Sequence, residues 1–403
     1  MSGDILFLAH RIPYPPNKGD KIRAYHLLKA LSSHYRVHVG AFIDDPEDWQ
    51  HAEALQQMVD GQVKLMPIRP TLAKLASLRG LLTGEALSLP FYRNRMMQRW
   101  VDRLLKAGQV SAVVGFSSPV AQYVMGKEIP LVMDLVDVDS DKWLQYAQQR
   151  TGLMRRLYQR EGHRLATFEA AVVERSRASY LVSDAEAAHL QELFPALAQH
   201  IHSFSNGVDF AFYTDDGDLP NPFESTGHQQ LVFTGMMDYW PNIQAVVWFA
   251  QEILPRVQKR HPQVHFTIVG GRPPPQVQQL AENPGVTVTG RVADVRPYLA
   301  HAALAVAPMR TARGIQNKVL EAMAMAKAVV ATPLAMEGIH PCQGLAQWVA
   351  EDADGLAAHM ITLLDAPQRA TEAGQLGRAC VEQHYDWSGN LQPILDELAE
   401  VVG

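Results

Sequence analysis

Short runs of consecutive apolar residues recur along the chain and alternate with stretches of helical periodicity. In the first half, these runs have the length of buried strands. Between the first two runs, residues 21–33 place Leu27, Leu28 and Leu31 on one face of a predicted helix, and one long helical region is predicted over 142–176. The strands predicted in this half are 4–9, 37–42, 63–68, 112–116, 131–134, 179–183 and 202–205. Strands that alternate with helices form a parallel, doubly wound sheet.

The same alternation begins again after a polar segment. Residues 205–209 read SNGVD, which is a turn signal, and residues 215–227 have the Asp, Pro, Gly and Asn content of a linker. The strands predicted beyond it are 231–234, 266–269, 286–288, 304–307 and 328–331. We therefore predict an α/β protein with two doubly wound Rossmann-like domains facing a central cleft. Their predicted bounds are 1–205 and 206–385, and a C-terminal helix over 386–403 is expected to pack back toward the first domain.

Residues 302–331 carry the most informative local pattern. They read as a strand (302–307), a polar loop (310–317), a short helix (318–325) and a second strand (328–331). Ligands of open α/β sheets bind at such strand-to-helix turns. The amides of a helix N-terminus together with Lys318 suit a diphosphate, and Glu321, one turn further on, can accept hydrogen bonds from a ribose diol. A solvated helix face is the alternative, but the apolar residues at 322–325 indicate a packed helix.

The composition of the chain excludes some classes of function. The 403 residues have 47% hydrophobic content and suggest two domains. A formal net charge of −6 argues against a general nucleic-acid binder. Cys342 and Cys380 lie far apart in the sequence, so we expect neither a disulfide framework nor a CxxC zinc site, as in a reducing cytosol. The N-terminal sequence lacks the features of a signal peptide, and no apolar stretch approaches the ~20 residues of a membrane span, so a cytoplasmic location is expected.

Several short motifs stand in the order and spacing of one enzyme family. They are NKGD at 17–20, NGVD at 206–209, VGG at 269–271, TGRV at 289–292, NKVLEAMA at 317–324 and YDWS at 385–388. With them the chain resembles glycosyltransferases of the GT-B fold, in the large retaining family four. The segments HRIPYPP at 10–16, DLVDVDSDKW at 134–143 and GMMDYWPN at 235–242 are similar to sugar transferases associated with exosortase-linked exopolysaccharide clusters.

The resemblance implies an acceptor-side first domain and a second domain that binds a nucleotide diphosphate-sugar, with a UDP-sugar preferred and no cofactor. Lys318 would face the departing diphosphate, and Glu321 would hold the ribose. Retention of anomeric configuration implies attack from the front face, without a dedicated protein base. The other residues expected to contact substrate are Gly19, Asp20, Arg23, Arg291, Val292, Arg310, Arg313, Gly314 and Asn317.

Some of these assignments have a structural alternative. Gly19 would let the backbone approach the sugar or phosphate, but it also fits a simple turn. Arg291, which with Val292 would flank the base, is equally consistent with a surface residue. Asp137 would orient the acceptor hydroxyl, whereas its cluster with residues 139–141 also fits a helix N-cap.

The chain departs from the family pattern at two places. Arg313 stands where many relatives have the first glutamate of an E-x7-E motif, and residues 236–238 read MMD where many relatives have Arg and Lys. The cations for a diphosphate would then be Lys318 first, with Arg313 and Arg310. The strings at 137–139 and 139–141 match the DxD metal signature of another glycosyltransferase fold. Both strings lie in the first half of the chain, whereas the features expected to bind the donor lie in the second half, so no metal site is predicted.

The composition of segment 69–106 suggests that it binds a membrane surface. Its eight basic residues outnumber Glu85 and Asp102, and leucines are interleaved with them. Such a segment can bind anionic lipid, although solvated cations on core helices are the alternative. We expect a cytoplasmic enzyme, peripheral on the inner face of the plasma membrane, that transfers sugar to a lipid-linked or polysaccharide acceptor in exopolysaccharide biosynthesis. The alternatives are a nucleotide-sugar 2-epimerase-like isomerase of the same fold and a non-catalytic nucleotide-sugar-binding subunit.

Overall fold

The chain forms two compact units. The computed structural model describes residues 3–16, 19–148, 150–215, 217–223, 228–312, 314–342 and 344–402. One unit comprises Met1–Ser205 with Ser388–Gly403, and the other comprises Asn206–Trp387. Within the described residues, each unit is built on one parallel β-sheet. The C-terminal segment thus belongs to the first unit, where Tyr180 donates a hydrogen bond to the carbonyl of Pro393 (3.0 Å).

The first unit contains a seven-stranded sheet in the order β3-β2-β1-β4-β5-β6-β7, counted over the described residues. Its strands are β1 (Asp4–Ala9), β2 (Val37–Ile43), β3 (Val63–Pro67), β4 (Val110–Phe116), β5 (Leu131–Val136), β6 (Ala178–Leu181) and β7 (Ile201–Ser203). The central strands are buried almost completely, because helices cover a doubly wound sheet on both faces.

The helices of the first unit connect these strands or extend beyond them. They are α1 (Gly19–His34), α2 (Ala52–Gln57), α3 (Pro70–Ser77), α4 (Arg79–Thr83), α5 (Ser88–Phe91), α6 (Arg95–Lys106), α7 (Asp139–Gln148), α8 (Gly152–Arg175) and α9 (Asp184–Leu193). Short 3₁₀ turns occupy Pro46–His51, Ser118–Tyr123 and Pro195–His200.

The second unit contains a five-stranded parallel sheet in the order β10-β9-β8-β11-β12, again counted over the described residues. Its strands are β8 (Gln229–Thr234), β9 (Val264–Val269), β10 (Val286–Gly290), β11 (Leu304–Ala307) and β12 (Val329–Ala331). Its helices are α10 (Trp240–Trp248), α11 (Leu254–Gln258), α12 (Pro275–Gln278), α13 (Arg296–Ala300), α14 (Asn317–Ala324), α15 (Ala353–Asp365) and α16 (Pro367–His384). The last helix of the chain, α17 (Trp387–Val402), begins at the end of this unit.

The two ends of the second unit lie side by side. The Val208 amide donates to the carbonyl of Tyr385 (2.7 Å), and Val208 forms a parallel bridge with Asp386. Gly207 packs against Trp387 so closely that a Cβ on the glycine would lie 2.6 Å from the indole ring. The NGVD motif and residues 385–387 therefore meet within this unit, which explains why a glycine is needed at 207.

Two expectations from the sequence were wrong. The helical region predicted over 142–176 is two helices, because Thr151 is extended and Gly152 takes a left-handed φ of 62°. Cys342 and Cys380 are joined in a disulfide, with their Cα atoms 6.0 Å apart. The end of α16 brings them together, since the Tyr385 hydroxyl accepts a hydrogen bond from the amide of His340 (2.7 Å).

Among the helices in the described ranges, none is both long and apolar enough to cross a membrane.

Candidate functional site

The strand order of the second unit marks where a ligand would bind. The chain runs from β8 to β9 and β10 on one side, then returns to the other side of β8 as β11 and β12. Open α/β sheets bind ligands outside the carboxyl ends of the strands at this switch point. Here the switch lies between β8 and β11, so the relevant loops begin at Gly235 and Pro308. The second loop leads directly into α14.

Glycines allow the loops after β8 and β9 to lie in contact. A Cβ on Gly270 would stand 1.7 Å from the Gly235 carbonyl oxygen, and one on Gly235 would stand 3.4 Å from Cε of Lys318. The loop after β8 is also held by Asn242, a 4% exposed residue whose side-chain amide donates to the carbonyl of Met236 (2.9 Å). The half-buried main chain at Gly235 therefore lies close to both Asn242 and Lys318, where a Cβ would stand only 2.7 Å from the Asn242 side chain.

Lys318 lies in the first turn of α14, next to this backbone. Its ammonium donates to Oε1 of Gln316 (3.3 Å) and lies 5.3 Å from the centre of the Phe233 ring. Burial lowers the pKa of Lys318 to about 8, against the opposing effect of Glu321. The side chain is thus a cation at neutral pH that has lost much of its hydration, and a bound diphosphate would compensate for that loss.

Glu321 lies one turn further along α14. Its carboxylate accepts a hydrogen bond from the hydroxyl of Tyr213, which reaches it from the turn after the NGVD motif. Burial raises the pKa of Glu321, while Tyr213 and Lys318 oppose that rise. Residues three positions apart on a helix share a face, so Lys318 and Glu321 present opposite charges to one side of α14. Val319, Leu320 and the residues at 322–324 are buried, as predicted for a packed helix.

The turn that carries Tyr213 is anchored at its base. The amides of Phe212 and Tyr213 both donate to the carbonyl of Asp209 (3.0 and 2.7 Å). Arg296 donates to the carbonyl of Phe212 (3.0 Å) and lies over the Phe212 ring at 4.1 Å. Arg296 also binds both carboxylate oxygens of Asp294, so the turn is connected to the loop between β10 and α13.

The remaining predicted residues of the second unit lie on the loops around this site. Arg291 is exposed and its side chain starts beside Gly271, with Val292 half-buried after it. Arg310 is exposed, and its guanidinium lies 5.2 Å from the Trp248 ring. Two further residues belong to the loop before α14: Gly314 has a left-handed φ of 64°, and Asn317 accepts a hydrogen bond from Asn206 (3.1 Å). Arg313 lies outside the described residues.

In the first unit, the residues of α1 that were predicted to contact substrate differ in how deeply they are buried. Gly19 is exposed and begins the helix. The motif residues 17–18 and the side chain of Asp20 lie outside the described part of the structure. Arg23 is 1% exposed and forms a buried ion pair with Asp134, with Nε 2.7 Å from Oδ2. Its guanidinium also donates to the carbonyl of Phe204 (2.9 Å), so this burial gives no support to the predicted contact with substrate.

Asp137 lies just after β5, where it was expected. Lys142 donates to Oδ2 of Asp137 (2.6 Å) and to Oδ1 of Asp139 (3.1 Å). Asp139 is the first residue of α7, and carboxylates of other helices bind its first turns: Glu186 accepts from the Val138 amide and Glu169 from the Ser140 amide. Within the described ranges, no group of three or more His, Cys, Asp or Glu residues is arranged to hold a metal ion.

The sequence analysis missed three contributors to the site. Tyr213 stands in a segment whose composition indicates only a turn and linker, and nothing in the sequence connects it to Glu321. Gly235 and Gly270 were noted as parts of motifs, without the prediction that their loops touch. A glycine directly after each of two predicted strands was the available signal, because close backbone contact at a switch point requires it.

Comparison with known proteins identifies the domain. Residues 228–366 match the family described as Glycosyl transferases group 1. No curated protein matches the chain in sequence. Residues 228–366 thus form a group 1 glycosyltransferase domain, in keeping with the predicted enzyme class.

Solved structures similar to the chain span its whole length. A crystal structure of HepE from Anabaena in complex with UDP and glucose has a TM-score of 0.66 and 18% identity, covering 99% of this chain and 100% of that one. Sucrose-phosphate synthase from Thermosynechococcus elongatus has a TM-score of 0.69 and 16% identity, covering 99% and 98%. WaaG, a glycosyltransferase involved in lipopolysaccharide biosynthesis, has 0.64 and 16%, covering 98% and 99%. The predicted fold class, GT-B with two parallel-sheet α/β domains, is confirmed.

Proposed function

We propose that this glycosyltransferase moves a sugar, with retention of its configuration as in family four, from a UDP-sugar to a lipid-linked or polysaccharide acceptor in exopolysaccharide biosynthesis. One observation carries the proposal. Lys318 and Glu321 occupy one face of α14, at the switch point of the second sheet, beside the loops after β8 and β9 that glycines bring into contact. A nucleoside diphosphate offers both an anion for the ammonium and a diol for the carboxylate.

The arrangement suits bond cleavage between a sugar and a diphosphate. Negative charge grows on the departing phosphate as the C1–O bond breaks, and a cation fixed at that position stabilises the transition state more than the ground state. Lys318 would take this position, while Glu321 would hold the ribose hydroxyls equally in both states. Arg310 and the loop residues Gly314 and Asn317 would complete the donor site. Arg291 and Val292 would flank the base.

The choice of UDP is supported by the fold neighbours. HepE was crystallised with UDP-glucose as well as with UDP and glucose. The acceptor class is supported more indirectly, because WaaG acts in lipopolysaccharide biosynthesis. In the first unit, Gly19 and Asp20 begin α1 after the β1 loop, and Asp137 follows β5. We assign them to the acceptor side, with Asp137 acting as an orienting group whose charge Lys142 partly balances.

A membrane-bound acceptor would explain an exposed apolar surface on the first unit. Helices α3 and α4 and the residue between them expose five leucines, including Leu75 at 65% and Leu82 at 91% exposure. The others are Leu72, Leu78 and Leu81. Lys74 and Arg79 are exposed between them, inside the basic segment 69–106. Exposed leucines bordered by cations suit the boundary of an anionic bilayer, which takes up apolar side chains and attracts basic ones.

The start of α8 enlarges this surface. Arg160 of α8 donates to the carbonyls of Gly80 and Glu85, so α8 runs beside α4. Two helical turns before Arg160, Leu153 is 81% exposed and is followed by two exposed arginines at 155 and 156. We therefore propose that α3, α4 and the first turns of α8 together hold the enzyme on the inner face of the plasma membrane.

Two rival functions lead to different products. A 2-epimerase-like isomerase would interconvert nucleotide sugars without an acceptor, and a non-catalytic subunit would bind nucleotide without turnover. The test incubates the enzyme with UDP-glucose or other UDP-sugars, with and without membrane lipid extract, and follows the sugar by NMR. Release of UDP with the sugar attached to lipid or glycan is expected. An epimeric UDP-sugar formed without acceptor, or nucleotide binding without any conversion, would contradict the proposal.

A further inference from the structure

We propose that Tyr213 is a positioning residue for the donor: its hydroxyl orients the Glu321 carboxylate toward the ribose. The inference rests on the proposed function, in which Glu321 binds the ribose diol. Tyr213 itself need not touch the nucleotide. It acts through the hydrogen bond that it donates to Glu321.

The first support is the chemistry of the pair. A carboxylate has two oxygens and about four lone-pair directions, so it can accept from a tyrosine and still accept from two ribose hydroxyls. The tyrosine ring packs against the core of the second unit, which restricts where its hydroxyl can lie. A donor fixed in this way selects one rotamer of Glu321, and a preset rotamer lowers the entropy lost when the nucleotide binds.

The second support is the rigidity of the turn. Tyr213 follows a hydrogen-bonded turn that starts at Asp209, and Arg296 holds its neighbour Phe212 through both the carbonyl and the ring. Arg296 in turn is fixed by two contacts with Asp294. The loop after β10, which carries Arg291, and the helix that carries Glu321 are therefore connected through Tyr213. This connection links the position proposed for the base to the position proposed for the ribose.

The third support is the charge around the pair. Lys318 faces Glu321 from the same helix, while Asp294 and Asp209 are the acidic groups that act on Tyr213. Burial of the carboxyl favours its protonated form, and the hydroxyl of Tyr213 favours the ionised form. The ionised form offers both oxygens as acceptors and binds the ribose hydroxyls more strongly than the protonated form. Removing the hydroxyl should therefore raise the pKa of Glu321 and weaken nucleotide binding most on the acidic side.

The experiment measures the affinity for UDP by calorimetry across pH in the parent protein, Tyr213→Phe and Tyr385→Phe. The control Tyr385 is a 2% exposed tyrosine of the same unit, whose hydroxyl bonds the amide of His340 instead. The phosphates of UDP titrate alike in all three samples. Differences in the acid limb of the profile, where the affinity for UDP changes on the acidic side, therefore arise from the protein. We expect Tyr213→Phe to shift that limb upward by about one pH unit, roughly a tenfold loss of affinity there. The control should superimpose on the parent.

A second arm replaces UDP with 2′-deoxyUDP. If Tyr213 positions the carboxylate for the ribose, the preference for UDP over the deoxynucleotide should fall in Tyr213→Phe and persist in Tyr385→Phe. A Tyr213→Phe profile identical to the parent overturns the inference and leaves the proposed donor site intact. An equal loss at every pH with an unchanged ribose preference also overturns it, because only packing would then be involved. A parent protein that binds no UDP contradicts the proposed function itself.

Discussion

The ammonium of Lys142 lies between Asp137 and Asp139, 2.6 Å from an oxygen of the first and 3.1 Å from an oxygen of the second. Burial alone would lower the pKa of Lys142, but Asp139 and Asp137 raise it above its usual value. The two aspartates that resemble a DxD metal signature thus share one lysine of α7, which balances part of their charge.

The first prediction follows from that contact. Glycosyl transfer should be independent of added divalent metal, because Lys318 and the start of α14 would balance the diphosphate and Lys142 already occupies the space between the two aspartates. The measurement compares initial rates before and after exhaustive treatment with EDTA, followed by dialysis. An unchanged rate is expected. Activity that disappears with the chelator and returns with manganese would contradict this account.

The second prediction concerns Arg23. Its ion pair with Asp134 is 1% and 0% exposed at the two side chains, so Arg23→Ala leaves a buried carboxylate without its cation. Breaking such a pair costs about 3–5 kcal/mol of unfolding free energy. Arg36→Ala is the control, because Arg36 is 52% exposed in its ion pair with Asp4 and exposed pairs contribute about 0–1 kcal/mol. Denaturant unfolding measures both, and near-equal stabilities with a selective loss of substrate affinity in Arg23→Ala would instead support a contact with substrate.

Arg23 also illustrates which features of the fold could be predicted from the sequence and which could not. The strand–helix alternation predicted both parallel sheets, because short apolar runs bounded by polar loops and separated by helical segments have few other solutions. The break between α7 and α8 escaped prediction, since Gly152 stands in an otherwise helical pattern. The role of Arg23 escaped as well. A charged residue early in a helix gives no sign that its partner lies on a distant strand such as β5.

The third prediction tests the proposed bilayer surface. The protein should sediment with vesicles that contain phosphatidylglycerol at low salt and be released as salt rises, because salt screens exposed charges. Leu82→Gln and Leu153→Gln should each weaken binding by about tenfold, since a leucine that leaves water contributes about 1.5 kcal/mol or more. Leu376→Gln, at a 47% exposed leucine of the second unit, serves as the control. Equal binding to neutral and anionic vesicles, or none to either, would contradict the proposal.

The fourth prediction uses the lowered pKa of Lys318. At a pH near 8, part of the free protein carries a neutral Lys318, and a bound diphosphate favours the charged form. UDP binding near pH 8 should therefore take up protons, and binding well below pH 8 should not. Calorimetry in buffers of different ionisation enthalpy measures the uptake. It should vanish in Lys318→Met, and uptake that persists in this variant would assign the proton to another group.

The site was predictable in part because its residues are close in sequence. Lys318 and Glu321 share one helix, so spacing alone places them on one face. Tyr213 and the contact between Gly235 and Gly270 depend on how separate loops meet above the sheet. A local sequence pattern gives no information about contacts between loops that are distant in the sequence. The side chain that completes the site is therefore the one that the sequence could not indicate.

The central claim is that α14 binds the nucleotide with separate roles for its two charged residues. Lys318→Ala removes the cation beside the departing diphosphate, so its loss should fall mainly on kcat. Glu321→Ala removes the acceptor of the ribose hydroxyls, so its loss should appear as weaker nucleotide binding, about 1.5–3 kcal/mol for charged hydrogen bonds. Arg256→Ala, at an exposed ion pair with Asp354 in the same unit, is the control.

The decisive measurement is therefore UDP titration by calorimetry beside steady-state kinetics for Lys318→Ala and Glu321→Ala, with folding checked by circular dichroism. We expect folded proteins in which the first variant loses turnover and the second loses affinity, while the control matches the parent. If both variants fold, bind UDP like the parent and turn over normally, the donor site is not on α14 and the account is wrong.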